Sequence, residues 1–87
     1  MYAIPADCAD AGVGRWEDAP KEALFQGLEG AKIVAEDLGT IDDGVRSLMR
    51  KTGYPGMKVM EFGFNGDPYS EHKPQNFPAN CVAYTGT

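Results

Sequence analysis

The sequence is poor in the residues from which most metal and nucleophile sites are built. Its 87 residues contain one histidine, His72, and two cysteines, Cys8 and Cys81, which lie far apart without a CxxC spacing. A single histidine excludes a histidine cluster for zinc and a histidine-based nucleophile system within the chain. The cysteines indicate neither a disulfide framework nor a zinc site, and two reduced thiols in a cytoplasmic protein are the simpler interpretation.

Positive charge and long apolar runs are also scarce. Lys and Arg number 8 against 13 Asp and Glu, a formal net charge of -5, and no basic run occurs. We therefore expect no nucleic-acid partner, because phosphates require clustered Lys and Arg, and no anionic membrane surface. The N-terminus has neither the basic nor the apolar region of a signal peptide, and no apolar run is long enough to span a membrane.

What is present is an alternation of helical and strand patterns in a chain long enough for one small domain. Thr40 is the expected N-cap of the better-defined helix, and Gly53 is its expected C-terminal glycine. The predicted elements are an irregular segment over 1–19, a helix over about 20–29, a strand over about 32–37, a helix over about 41–52, a strand over about 57–64, a loop over 65–79 and a strand over about 80–85.

Strands that alternate with helices predict an α/β fold with parallel strands. Parallel strands need cover on both faces, and three strands with two helices cannot supply it. Two sheet edges would also stay open. We therefore expect the chain to be a slice of a larger fold, for which a closed barrel would solve both problems.

Two adjacent carboxylates, Glu36 and Asp37, end the first predicted strand. Active sites of parallel α/β folds lie at the carboxyl ends of the strands. Side chains alternate along a strand, so only one of the two carboxylates can point into a central site. A carboxyl there could serve as the acid and base of a glycosidase-type reaction. The plainer alternative is that the pair caps the next helix or faces solvent.

Two further features leave alternatives open. Phe62 and Phe64 are spaced to share one face of the second strand, either as packed core or as a platform for sugar rings. His72, in the long loop, either hydrogen-bonds locally or binds substrate.

Three motifs resemble the 4-alpha-glucanotransferases, also called amylomaltases. They are "KIVAEDLGTI", "GYPGMKVMEFGF" and "PQNFPANCVAYTGT", in this order and spacing. The upstream Ile4-Pro5 and Gly14-Arg15-Trp16 fit the same family. The resemblance implies a (β/α)₈ barrel, of which this chain would supply about strands 5 to 7. It also implies transfer of alpha-1,4-glucan segments between maltooligosaccharides with retention at the anomeric carbon, without metal or organic cofactor.

The resemblance also implies roles for particular residues. Glu36 matches the family's general acid/base, and Phe62 matches an aromatic residue thought to line the glucan site. Asp37 is expected either to help at the site or to support its loop. His72 and Asn76 lie in the loop before the last strand and are expected to bind substrate.

The family's other two catalytic carboxylates have no counterpart in the sequence. The nucleophile belongs to an Arg-x-Asp motif and the third carboxylate to a His-Asp-Asn motif, and neither motif occurs in these residues. A retaining mechanism needs a nucleophile about 5–5.5 Å from the acid/base. We therefore expect the isolated chain to be inactive and to need the rest of the barrel for folding. The alternative is a non-catalytic carbohydrate-binding or interaction module derived from such a barrel.

Overall fold

A computed structural model describes all 87 residues. Two strand pairs and one α-helix make up its main regular structure. They are β1 (Tyr2–Ala3), β2 (Arg15–Trp16), α1 (Asp43–Thr52), β3 (Gly56–Val59) and β4 (Cys81–Tyr84). Four short 3₁₀ helices, Ala11–Val13, Lys21–Phe25, Met60–Gly63 and Pro74–Asn76, lie between them. None of the helices has the length and apolar character needed to cross a membrane.

The parallel pair β3–β4 carries the small core. Its register places Gly56 opposite Cys81 and Val59 opposite Tyr84. Val59 is completely buried and is the one buried hydrophobic side chain of the chain. The structure therefore has the predicted α/β character with parallel strands, in a sheet of two strands.

The helix α1 is defined by its two caps. Asp42, rather than the predicted Thr40, is the N-cap, because its side chain accepts a hydrogen bond of 2.9 Å from Val45 N. Gly53 ends the helix with φ +68° and donates its N–H to Met49 O, as the sequence predicts. The left-handed conformation favours glycine because it lacks a β-carbon.

The predicted helix over 20–29 is wrong in extent and type. A 3₁₀ helix covers only Lys21–Phe25. Gly27 has a φ of +84°, so the chain turns within the predicted helix, and Gly30, directly after it, has a φ of +85°. The short helix packs against α1 through an ion pair of 2.7 Å between Glu22 and Lys51. The hydrogen bond that Lys51 donates in this ion pair lowers the pKa of the Glu22 carboxyl.

The predicted strand over 32–37 does not form a ladder. It is fixed beside β3 by a backbone hydrogen bond of 2.9 Å from Ala35 N to Pro55 O. The next donor along β3, Met57 N, is taken by the Asp37 side chain instead of by a backbone carbonyl. Because a side chain replaces the carbonyl, the ladder stops there.

The remaining boundaries differ in smaller ways. The predicted strand over 57–64 ends at Val59, and Met60–Gly63 is a 3₁₀ helix. Gly63 permits the close approach of the His72 carbonyl to this turn, because a β-carbon there would lie 2.8 Å from His72 O. The predicted loop contains the 3₁₀ turn Pro74–Asn76, and the first segment contains the β1–β2 pair instead of being irregular throughout. Strands of two residues are too short to leave a period in the sequence.

The chain is more open than a compact domain of its size. Its radius of gyration is 15.6 Å, against about 12 Å for a compact chain of this length. Its accessible surface is 6620 Å², against about 5000 Å² for a folded monomer of this mass. Large apolar side chains are exposed, among them Trp16, Phe64 and Tyr69 at 79–88%. This surface is available for packing against further protein.

We predict that the isolated 87-residue chain does not unfold cooperatively, because so little apolar surface is buried within it. Differential scanning calorimetry should show no sharp transition, and the dye 8-anilinonaphthalene-1-sulfonate should bind strongly at neutral pH. A single sharp transition with an enthalpy of about 60 kcal/mol, typical of a two-state domain of this length, would contradict the prediction.

Candidate functional site

Glu36 is exposed and lies next to the residue that attaches its segment to β3. Its Oε1 accepts a hydrogen bond of 2.6 Å from Leu38 N, within its own turn. Ala35, directly before it, is held by Pro55 O. The Glu36 carboxylate is therefore open to solvent while the backbone beside it is fixed.

The Asp37 side chain has different partners from those of Glu36. Its Oδ1 accepts a hydrogen bond of 2.8 Å from Met57 N, and its Oδ2 lies 3.9 Å from Lys58 Nζ. A β-carbon at Gly56 would collide with this carboxylate, so glycine is required for the close approach. The two adjacent carboxylates thus have different surroundings, and Asp37 is committed to β3.

Lys58 is a buried cation between two acidic side chains. Its side chain is 7% exposed, and its Nζ lies 2.7 Å from Glu71 Oε2 in addition to its contact with Asp37. The hydrogen bond from Lys58 lowers the pKa of the Glu71 carboxyl, whereas partial burial acts in the opposite direction. A buried ammonium needs such partners because desolvation of an unpaired charge is costly.

The His72 side chain hydrogen-bonds to the same edge of β3 as Asp37. Its Nδ1 accepts a hydrogen bond of 3.1 Å from Val59 N, so in this arrangement Nδ1 carries no proton. Its ring meets Phe62 edge to face, with centroids 5.4 Å apart. Phe62 remains 41% exposed and lies beyond the end of β3, so it does not share a strand face with Phe64 as predicted.

Asn76 stabilises the loop that carries Glu71 and His72 by hydrogen bonds to its backbone. Its Nδ2 donates hydrogen bonds of 2.9 Å to Pro68 O and 2.8 Å to Ser70 O. The amide nitrogen is therefore used within the loop. Of the predicted site residues, Asp37, His72 and Phe62 lie around β3. Glu36 and Asn76 make their hydrogen bonds within their own segments.

The carboxyl ends of β3 and β4 are tied together by Glu61. Its N–H donates to Thr85 O at 3.1 Å, and its Oε1 accepts from Thr87 N at 3.2 Å. Gly86 leaves room for this carboxylate, because a β-carbon there would lie 2.8 Å from Glu61 Oε2. No group of three or more His, Cys, Asp or Glu side chains is arranged to hold a metal ion.

Comparison with known proteins identifies the family. A family model described as 4-alpha-glucanotransferase, glycoside hydrolase family 77, matches residues 1–87. This chain belongs to the 4-alpha-glucanotransferase family. The finding confirms the resemblance carried by the three motifs.

Individual relatives agree with this assignment. The 4-alpha-glucanotransferase of Thermus thermophilus is 42% identical over 92 residues, across 99% of this chain and 18% of that protein. The chloroplastic/amyloplastic 4-alpha-glucanotransferase of Arabidopsis thaliana is 41% identical, across 100% of this chain and 16% of the plant protein. The chain therefore spans less than a fifth of the length of these relatives.

A solved structure gives the same result for the fold. The amylomaltase from Streptococcus agalactiae in complex with acarbose matches with a TM-score of 0.82 at 41% identity. The match covers 99% of this chain and 18% of the amylomaltase chain. At this identity, the likeness concerns both fold and family.

Lys58, Glu71 and Glu61 were missed by sequence reasoning about this 4-alpha-glucanotransferase segment. One signal was present, since Lys58 stands between Met57 and Val59 in a predicted parallel strand, and such strands need cover on both faces. A charge in such a strand requires an opposite charge. The identity of that partner could not be read, because Glu71 lies 13 positions further on in an irregular loop.

A chimera would place this chain in a full-length 4-alpha-glucanotransferase. In it, residues 1–87 replace the matching segment of the Thermus thermophilus protein. We predict that His72→Leu lowers the melting temperature of this chimera by about 2–5 °C, because the buried Val59 N–H loses its acceptor. His72→Asn should recover at least half of the loss, since its side-chain oxygen can take the place of Nδ1. Equal losses for both variants would contradict this role.

The lowered pKa of Glu71 predicts a pH effect. The ionised carboxylate stabilises the folded state at pH values above 4.5, the ordinary pKa of a glutamate. This stabilisation is lost as the pH falls through the lowered pKa of the folded state. Between pH 6 and 3.5 the melting temperature of the chimera should fall more than that of its Glu71→Gln variant, by about 1–2 °C because Glu71 is partly exposed. Glu29→Gln, at an exposed glutamate, is the matched control for the loss of a carboxylate. Parallel curves for the chimera and Glu71→Gln would contradict the prediction.

Proposed function

We propose that the chain is part of the catalytic barrel of a 4-alpha-glucanotransferase, with Glu36 as its general acid/base. The observation that carries the proposal is the exposed Glu36 carboxylate, which ends a segment fixed beside a parallel strand pair. Carboxyl ends of parallel strands are where such folds place their reacting groups. The substrates are maltooligosaccharides and other alpha-1,4-glucans. The acarbose in the amylomaltase complex supports an oligosaccharide ligand.

In this proposal segment 32–37, β3 and β4 correspond to strands 5, 6 and 7 of a (β/α)₈ barrel. The parallel register of β3 and β4 and the backbone bond from Ala35 support this order. The exposed apolar side chains support packing against further parts of the same barrel. Completion of the barrel is then a requirement for folding as well as for activity.

Glu36 would act twice in the retaining reaction. It first protonates the departing glycosidic oxygen while an aspartate outside residues 1–87 attacks the anomeric carbon, and a covalent glycosyl-enzyme forms. Ionised Glu36 then removes the proton from the 4-hydroxyl of an acceptor glucan, which displaces the enzyme carboxylate. Transfer exceeds hydrolysis where the closed site excludes water.

The other predicted residues divide into two groups. Phe62 has an exposed ring surface, and His72 has its Nε2 free of the bond to Val59, so both are proposed to contact glucan. Asp37 and Asn76 use their polar atoms within the protein, so we propose that they support the site instead of touching substrate.

A second candidate function is a non-catalytic carbohydrate-binding module. The exposed rings of Phe62, Phe64 and Tyr69 favour it, because sugar faces stack on aromatic rings. It predicts that the isolated chain binds maltoheptaose in calorimetric titration and that Phe62→Ala abolishes the binding. The catalytic proposal predicts no binding by the isolated chain.

We predict that Glu36→Gln in the chimera lowers glucose release from maltotriose by about 10²–10⁴-fold, because the amide can neither donate nor accept the proton in transfer. The binding of maltoheptaose should change by less than about threefold. Glu29→Gln is the matched control at an exposed glutamate and should keep full activity. Near-unchanged glucose release by Glu36→Gln, or an inactive chimera beside an active parent enzyme, would overturn the proposal.

A further inference from the structure

We propose that Lys58 is a positioning residue for Glu36 and acts through the Asp37 carboxylate. The proposal rests on the proposed function, because it takes Glu36 as the acid/base. Lys58 itself contacts Asp37 and Glu71, so its effect on Glu36 is indirect.

The backbone around Glu36 is held from both sides. Ala35 N donates to Pro55 O at 2.9 Å, and Asp37 Oδ1 accepts from Met57 N at 2.8 Å. Glu36 lies between these two attachments. Its backbone position is therefore set by its neighbours, which are hydrogen-bonded to Pro55 and Met57 at the start of β3. Loss of either attachment lets the segment shift relative to β3.

The attachment through Asp37 depends on the orientation of its carboxylate. One oxygen reaches Met57 N, and the other lies 3.9 Å from the ammonium of Lys58. The ammonium is in turn held by Glu71 at 2.7 Å, and 7% of the Lys58 side chain is exposed. Long-stemmed lysine is normally mobile, so burial between two carboxylates is what makes its charge a fixed point.

The consequence for the reaction follows from geometry. An acid/base displaced by about 1 Å loses rate because proton transfer requires hydrogen-bond distance to the reacting oxygen. The glucan contacts proposed for Phe62 and His72 do not depend on Asp37, because the His72 ring is held separately by Val59 N and packs on Phe62. Replacement of Lys58 should therefore lower kcat and leave KM nearly unchanged.

The test is a double-substitution cycle in the chimera, with glucose release from maltotriose as the assay. Lys58→Met should lower kcat at least tenfold with KM within twofold. Asp37→Asn should also lower kcat, because it keeps an acceptor for Met57 but not the charge. In the Asp37→Asn background, Lys58→Met should lower kcat by no more than about threefold, since its route through Asp37 is already lost.

Two controls separate positioning from general loss of structure. Lys51→Met removes the lysine of the exposed ion pair with Glu22 and should leave kcat unchanged. Glu71→Gln weakens the contact that holds the Lys58 ammonium without removing the ammonium, and it should lower kcat about threefold. This variant tests the proposal even if Lys58→Met fails to fold. Independent, multiplicative effects of Lys58→Met and Asp37→Asn, a change in KM alone, or unchanged kcat in both Lys58→Met and Glu71→Gln would overturn the proposal. An active Glu36→Gln variant would instead overturn the proposed function, so the two failures are distinguishable.

Discussion

The buried ammonium of Lys58 is the constraint on which the arrangement around β3 depends. A cation with 7% of its side chain exposed must have opposite charges close by. The two carboxylates that meet it come from Asp37, before α1, and Glu71, in the loop after β3. One buried charge therefore brings together three stretches of chain that share almost no apolar core.

The sequence allowed the prediction of the features that are local. α1 has charged residues at its start and Gly53 at its end, β4 is a short apolar run, and β3 is apolar apart from Lys58. The helix over 20–29 failed because the helical turn ends at Phe25 and Gln26 is already extended, before the positive φ of Gly27 turns the chain. The strand over 32–37 failed because the side chain of Asp37, and not its backbone, meets β3.

For the candidate site, the sequence allowed the prediction of the family but not of the contacts that support the site. The motif around Glu36 carried the family, and the comparisons confirm it across residues 1–87. The supporting contacts were not predictable, because Lys58 with Glu71 and Val59 with His72 pair across irregular chain that follows no period. Their partners are selected by the tertiary path of the loop.

The side chains of Asp37 and His72 occupy two consecutive outward N–H groups of β3, on Met57 and Val59. A strand edge whose donors are already satisfied offers little to an additional strand, since pairing would first break existing hydrogen bonds. In the folded chain this edge therefore resists being joined by the strand of a neighbouring molecule. Carboxylate and imidazole groups that hold the native arrangement thus also protect this strand edge against strand addition.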